Sequence, residues 1–122
     1  MKLYDSELKV LETLWTSGDM TAKRIAEILK EQIGWSKTTT YTVIKKCVAK
    51  NLIGRTEPNF LCKAIITKQE AREMETTELI NRVYGGMTDE LVASLLWRKD
   101  LSQEDIEKLK KLVLSLDNSA ER

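Results

Sequence analysis

The chain has 122 residues, 42% of them hydrophobic and 32% charged, a composition that supports one core or two small ones and excludes a disordered chain. Its 20 Lys+Arg and 19 Asp+Glu leave a net charge of +1, so bulk charge names no partner. The absence of histidine removes Ser-His-Asp and Cys-His catalysis, His-ligated zinc and histidine pH switches, and an enzyme is not expected.

Asp5 and Ser6 are both good N-caps, and Leu8, Leu11, Leu14 and Trp15 then recur at helical spacing until Gly18, which predicts a first helix over about 6–16. Thr21 can cap a second, with Ala22, Ile25, Ala26, Leu29 and Ile33 on one face before Gly34. Ser36 caps a third helix over about 37–50, whose apolar stripe of Thr40, Val43, Ile44, Cys47 and Val48 runs on into Leu52 and Ile53. After Gly54 the pattern becomes extended. Ile53–Thr56 and Phe60–Thr67 read as a hairpin, with turn chemistry at Glu57-Pro58-Asn59, where Asn59 tolerates left-handed geometry. A lone hairpin is marginal, so it must pack on the three helices before it, as the wing of a helix-turn-helix.

From Lys68 the chain is helical again. Leu79, Ile80, Val83 and Tyr84 share one side of a long fourth helix that breaks at Gly85-Gly86, a hinge candidate. Thr88, Asp89 and Glu90 open a fifth helix carrying Leu91, Val92, Leu95 and Leu96. Ser102 and Asp105 resemble a capping box, and Ile106, Leu109, Val113 and Leu116 follow on a sixth helix before a polar tail, Asp117–Arg122. Such helices have little to pack on except one another, which predicts a homodimer through Leu79, Ile80, Val83, Tyr84, Leu91, Leu95, Ile106, Leu109 and Val113. The fold expected is mainly α: an N-terminal winged helix-turn-helix, three helices plus a β-hairpin wing, with a C-terminal helical dimerisation region.

Charge divides the chain the same way. Residues 1–68 carry 12 basic and 7 acidic residues, a net of +5, and residues 69–122 carry 8 and 12, a net of −4. The expected domains are therefore 1–68, a DNA-binding winged helix, and 69–122, a dimerisation domain. Plotted at 100° per residue, the third helix turns Thr38, Thr42, Lys45, Lys46 and Ala49 away from its apolar stripe, with Tyr41 at the flank and Lys37 in the first turn. Threonine and tyrosine hydroxyls can reach phosphates or bases, and lysines neutralise phosphate. Threonine is a weak helix former, so the run Thr38-Thr39-Thr40 with Thr42 serves something other than helix stability.

Cys47 falls on the apolar stripe and Cys62 in the second strand; neither forms a CxxC, and two thiols cannot supply a four-ligand metal cage, so no metal or cofactor is expected. A thiol enzyme using Cys47 or Cys62 is a disfavoured rival, because no histidine is present to activate the sulfur. The N-terminal residues lack a signal-type apolar run and no window approaches a membrane span, so a soluble cytoplasmic protein with no membrane partner is expected.

The stretch Gly34-Trp35-Ser36-Lys37-Thr38-Thr39-Thr40-Tyr41-Thr42-Val43-Ile44-Lys45-Lys46, the Thr21-Ala22 helix before it and Asn81-Arg82-Val83-Tyr84-Gly85-Gly86 resemble the penicillinase-repressor (BlaI/MecI) family of bacterial winged-helix regulators. The resemblance extends through Asp100-Leu101-Ser102-Gln103-Glu104 and the sixth helix. It implies a homodimeric repressor on a dyad-symmetric double-stranded DNA operator, controlling β-lactamase or other resistance genes. DNA contacts carry over to Ser36, Lys37, Thr39, Tyr41, Thr42 and Lys46, with a wing contact at Arg55. The family wing often has an aromatic pair in its second strand, where this chain reads Phe60-Leu61-Cys62-Lys63, and copper-responsive relatives end in a cysteine-rich motif that is missing here. The resemblance also implies a sensor protease as partner, cutting the helix equivalent to Leu91–Trp97. The matching pair reads Ser94-Leu95 in place of Asn-Phe, which favours a different release signal. The alternative is a winged-helix module that binds protein without sequence-specific DNA binding.

Overall fold

The computed structural model describes residues 2–120, and their side chains as far as Leu116. The elements run α1 (Asp5–Ser17), β1 (Met20–Thr21), α2 (Ala22–Ile33), α3 (Lys37–Ala49), β2 (Ile53–Thr56), β3 (Leu61–Ala64), α4 (Lys68–Val83), α5 (Thr88–Leu96) and α6 (Gln103–Ala120). This is a winged helix followed by three helices, as the periodicity predicts.

The expected hairpin is part of a three-stranded antiparallel sheet of order β1-β3-β2, in which Met20 pairs with Cys62 and Thr21 with Leu61, while Ile53 pairs with Ala64. β1 is too short to show alternation, and its second residue also caps α2: Thr21 Oγ1 accepts the Arg24 N–H at 3.2 Å. β3 is shorter than the Phe60–Thr67 expected, because the N–H groups of Ile65 and Ile66 turn back to the Leu52 carbonyl, at 2.8 and 3.4 Å. Asn59 is not the left-handed residue of the wing; Phe60 is, with φ 50°, and Asn51 is the other non-glycine at positive φ, 60°. The Glu57–Pro58 bond is cis.

The start of α1 also differs from expectation. Its N-cap is Tyr4, not Asp5 or Ser6, and the Glu7 carboxylate accepts the Tyr4 N–H at 2.9 Å. Glu7 is only 2% exposed, and Lys50 Nζ reaches both of its oxygens, at 2.7 and 3.0 Å, while donating also to the Lys2 carbonyl at 2.6 Å. The ion pair thus fastens the N-terminal end of α1 to the C-terminal end of α3.

Contacts divide the chain into residues 1–77 and 78–122, a boundary inside α4 rather than at 68/69, because Ala71 is buried in the first unit and Met74 packs against its core. Among the described residues every buried hydrophobic side chain lies in that first unit: Val10, Leu11 and Leu14 of α1, Ile25 and Leu29 of α2, and Val43, Ile44 and Cys47 of α3 meet Ile53 and Cys62 of the sheet. Ile33, expected on the inner face of α2, is 41% exposed at the helix end. In the second unit no described side chain is buried. α5 is preceded by Met87 as N-cap, with Thr88 its first helical residue. The Ser102–Asp105 capping box forms, with Asp105 N–H donating to Ser102 Oγ at 3.0 Å and Ser102 N–H to Asp105 Oδ2 at 3.2 Å. The α6 backbone continues to Ala120, past the point where the polar tail was expected to begin; the last two residues of that tail lie outside the described ones.

Candidate nucleic-acid interface

α3 is fixed by what it buries. Thr40, Val43, Ile44 and Cys47 face inward, which leaves Thr38, Thr39, Thr42, Lys45, Lys46 and Ala49 exposed and Tyr41 and Val48 half-buried. The separation of faces is the one that 100° per residue predicts. Lys37, Lys45 and Lys46 form no ion pair among the described residues. α2 and α3 are also the helices with no acid in their first turn, so the positive ends of their dipoles stay uncompensated. Lys23 and Lys30 of α2 border a shallow groove whose other wall is Trp35, Ser36 and Lys37. At the other end of α3, Lys46 and Lys50 share a second groove with Lys2 and Tyr4, and the ammonium groups of Lys2 and Lys50 lie 5.2 and 5.0 Å from the Tyr4 ring.

The hydroxyls on this face have prior commitments. Ser36 Oγ caps α3 by accepting the Thr39 N–H at 3.1 Å, and it donates to Thr39 Oγ1 at 2.9 Å. The Thr42 hydroxyl donates to the Thr38 carbonyl at 2.9 Å, and that of Thr40 to the Ser36 carbonyl at 3.3 Å. Thr40 and Thr42 therefore satisfy their donors within the helix, which offsets a weak propensity. Ser36 acts first as a cap.

The wing joins this face through a ladder of rings and cations. Lys37 Nζ lies 5.6 Å from the Tyr41 ring, Tyr41 meets Phe60 edge-on at 6.0 Å, and the Arg55 guanidinium lies 3.6 Å from the Phe60 ring centre. Arg55 also pairs with Glu57 at the wing turn. Sequence reading found Tyr41, Lys37 and Arg55 separately. It missed Phe60 and Glu57, for which the only signal was their place beside the turn.

The two cysteines are buried and free. Burial pushes the Cys47 thiol from an ordinary 9.0 up to about 12, with the Glu7 charge adding to it and Lys50 opposing. The same cause raises Cys62 to about 11 against the pull of Arg55. Neither sulfur is a poised nucleophile. Among the described residues no three His, Cys, Asp or Glu side chains are grouped to hold a metal, and no helix is long and apolar enough to cross a membrane.

The residues expected at a dimer surface are spread over the second unit. Leu79, Ile80, Tyr84, Leu91, Ile106 and Leu109 are half-buried, and Val83, Leu95 and Val113 are exposed. Sequence reading left out Trp97, 81% exposed, and Leu112, 64% exposed. Ser94 lies inside α5, and its Oγ accepts the Tyr84 hydroxyl at 3.1 Å.

The family described as Penicillinase repressor matches residues 3–115. The methicillin resistance regulatory protein MecI of Staphylococcus aureus (strain N315) is 27% identical over 114 residues, covering 92% of this chain and 93% of its own. The penicillinase repressor of Bacillus licheniformis is 23% identical over 110 residues, 88% of this chain and 86% of its own. A looser likeness is to a solved structure of a MarR family protein from Bacillus stearothermophilus, 16% identical with a TM-score of 0.47, over 100% of this chain and 78% of that one. With a match over nearly its whole length and a basic third helix beside a wing, the chain belongs to the penicillinase repressor family of DNA-binding transcriptional repressors.

Proposed function

We propose that two copies of the chain hold a dyad-symmetric operator, each laying α3 in a major groove and its wing beside it, and that occupancy represses a β-lactamase or other resistance gene. The observation that carries this reading is the pairing of an unneutralised basic helix face in one unit with a second unit that buries none of its described side chains. Lys45 and Lys46 are assigned to phosphate, Lys37 to the helix entry, and Tyr41, Thr38, Thr39 and Thr42 to the base edges and their flanks. Ser36 supports them as the cap, and Arg55 reaches the backbone from the wing. Relatives named for methicillin resistance and penicillinase support the choice of regulated gene.

Replacing Lys45 and Lys46 together with Ala tests the assignment. The pair should lower affinity for any duplex and reduce the slope of log affinity against log salt by up to about 2, whereas Tyr41→Ala should change sequence preference. Unchanged affinity and slope in the lysine double variant would remove α3 from the interface and leave the protein-binding module as the better reading.

Release is assigned to a signal other than cleavage at Ser94–Leu95. The bond lies within helical α5, and a protease needs extended backbone. Intact mass of the protein from cells exposed to a β-lactam should be unchanged as repression lifts; a fragment ending near Ser94 contradicts this and restores a sensor protease as partner.

A further inference from the structure

The Arg55 guanidinium is held twice, over the Phe60 ring at 3.6 Å and by the Glu57 carboxylate. Phe60 has φ 50°, a backbone conformation that bulky residues avoid, and its ring is wedged between Arg55 and Tyr41. The strained residue thus anchors the wing arginine to the recognition helix. Phe60 gives Arg55 position without changing its charge. Glu57 does the opposite: its carboxylate accepts from Arg55 Nε, one of the guanidinium donors that a phosphate would use.

The geometry points to Glu57 as a brake on DNA binding by the wing, an internal competitor that keeps Arg55 engaged until a DNA phosphate displaces it. The inference rests on the DNA-facing assignment of α3 and the wing made above. Displacement costs the pair in every complex, so Glu57 weakens binding to any duplex. The Arg55 and Glu57 side chains are 41% and 56% exposed, so solvent screens the pair and the effect is graded rather than absolute.

The test uses the full chain and a fluorescent duplex of scrambled sequence, titrated over a range of potassium chloride concentrations. Glu57→Gln keeps the shape of the side chain and removes its charge. It should tighten binding by about two- to fivefold per wing and steepen the salt slope by up to about one unit. In an Arg55→Ala background the same substitution should gain nothing, because no guanidinium is left to free. An equal gain with and without Arg55 would mean that only a repelling charge was removed, and no gain at all would mean that no competition exists; either overturns the proposal. The Lys45→Ala/Lys46→Ala variant is run beside them: if it weakens binding while Glu57→Gln changes nothing, Glu57 alone is misassigned, and if it too changes nothing, the DNA-facing assignment falls with it.

Discussion

The two units of the chain solve the problem of hydrophobic surface differently. Residues 1–77 bury Leu11, Ile25, Ile44, Ile53 and Cys62 within themselves and even take Glu7 inside with Lys50 as its partner. Residues 78–116 leave Trp97, Leu112, Leu114 and Leu116 more than half exposed, on helices whose polar faces are well supplied with charge. The first unit buries its apolar surface within itself, and the second leaves much of its own exposed. Within the first unit, α1 and α4 carry acids in their first turns, whereas α2 and α3 carry none.

Separating the units gives the largest expected effect. A chain cut to residues 1–77 should still unfold cooperatively on heating, because it keeps the entire core, while residues 78–122 alone should not. The cut chain should bind operator DNA about a hundredfold or more weakly, having lost the second head. Loss of cooperative unfolding in residues 1–77 would show that the core of the first unit depends on the second.

Matched truncations sharpen the contrast. Ile44→Ala, at a fully buried site of α3, should cost about 2–5 kcal/mol at any protein concentration. Leu112→Ala, at a site 64% exposed, should lower the thermal midpoint at low concentration and recover it as concentration rises, because the loss is in association. A concentration-independent loss at Leu112 would place that side chain in an intramolecular core.

Much of this was legible beforehand. The inner stripe of α3 could be read from Thr40, Ile44 and Cys47, since a buried face repeats at the helical period whatever surrounds it. β1 could not, because two residues carry no period and Thr21 reads as a cap. Glu7 was hidden for a different reason: a carboxylate among leucines looks like solvent-facing charge until Lys50, far along the chain, is brought to it. The hydroxyls of Ser36, Thr39 and Thr42 read as free for DNA, yet local bonds to the helix already engage them. Trp97 and Leu112 escaped because their positions fall off the stripes that the sequence repeats.

A smaller effect concerns the buried thiols of the first unit. Their folded pKa values, about 12 for Cys47 and about 11 for Cys62, lie above the ordinary 9.0. Burial of the neutral thiols therefore contributes full stability below pH 9 and loses it as the pH rises from there toward 11 and 12. The thermal midpoint should decline above pH 9, less steeply in a Cys47→Ala/Cys62→Ala variant, and iodoacetamide should label neither thiol of the native protein near neutral pH. Rapid native labelling would show that the winged-helix core opens far more often than its burial implies.

The central claim is that the second unit is completed by another copy of the chain. Sedimentation equilibrium of the full-length protein, without DNA and over a wide concentration range, tests it most directly. The account predicts a single species of twice the chain mass at concentrations where operator DNA is bound, giving way to monomer when Leu112 and Val113 are replaced with Lys. A wild-type protein that sediments as a monomer throughout that range, yet binds its operator with full affinity, would contradict it.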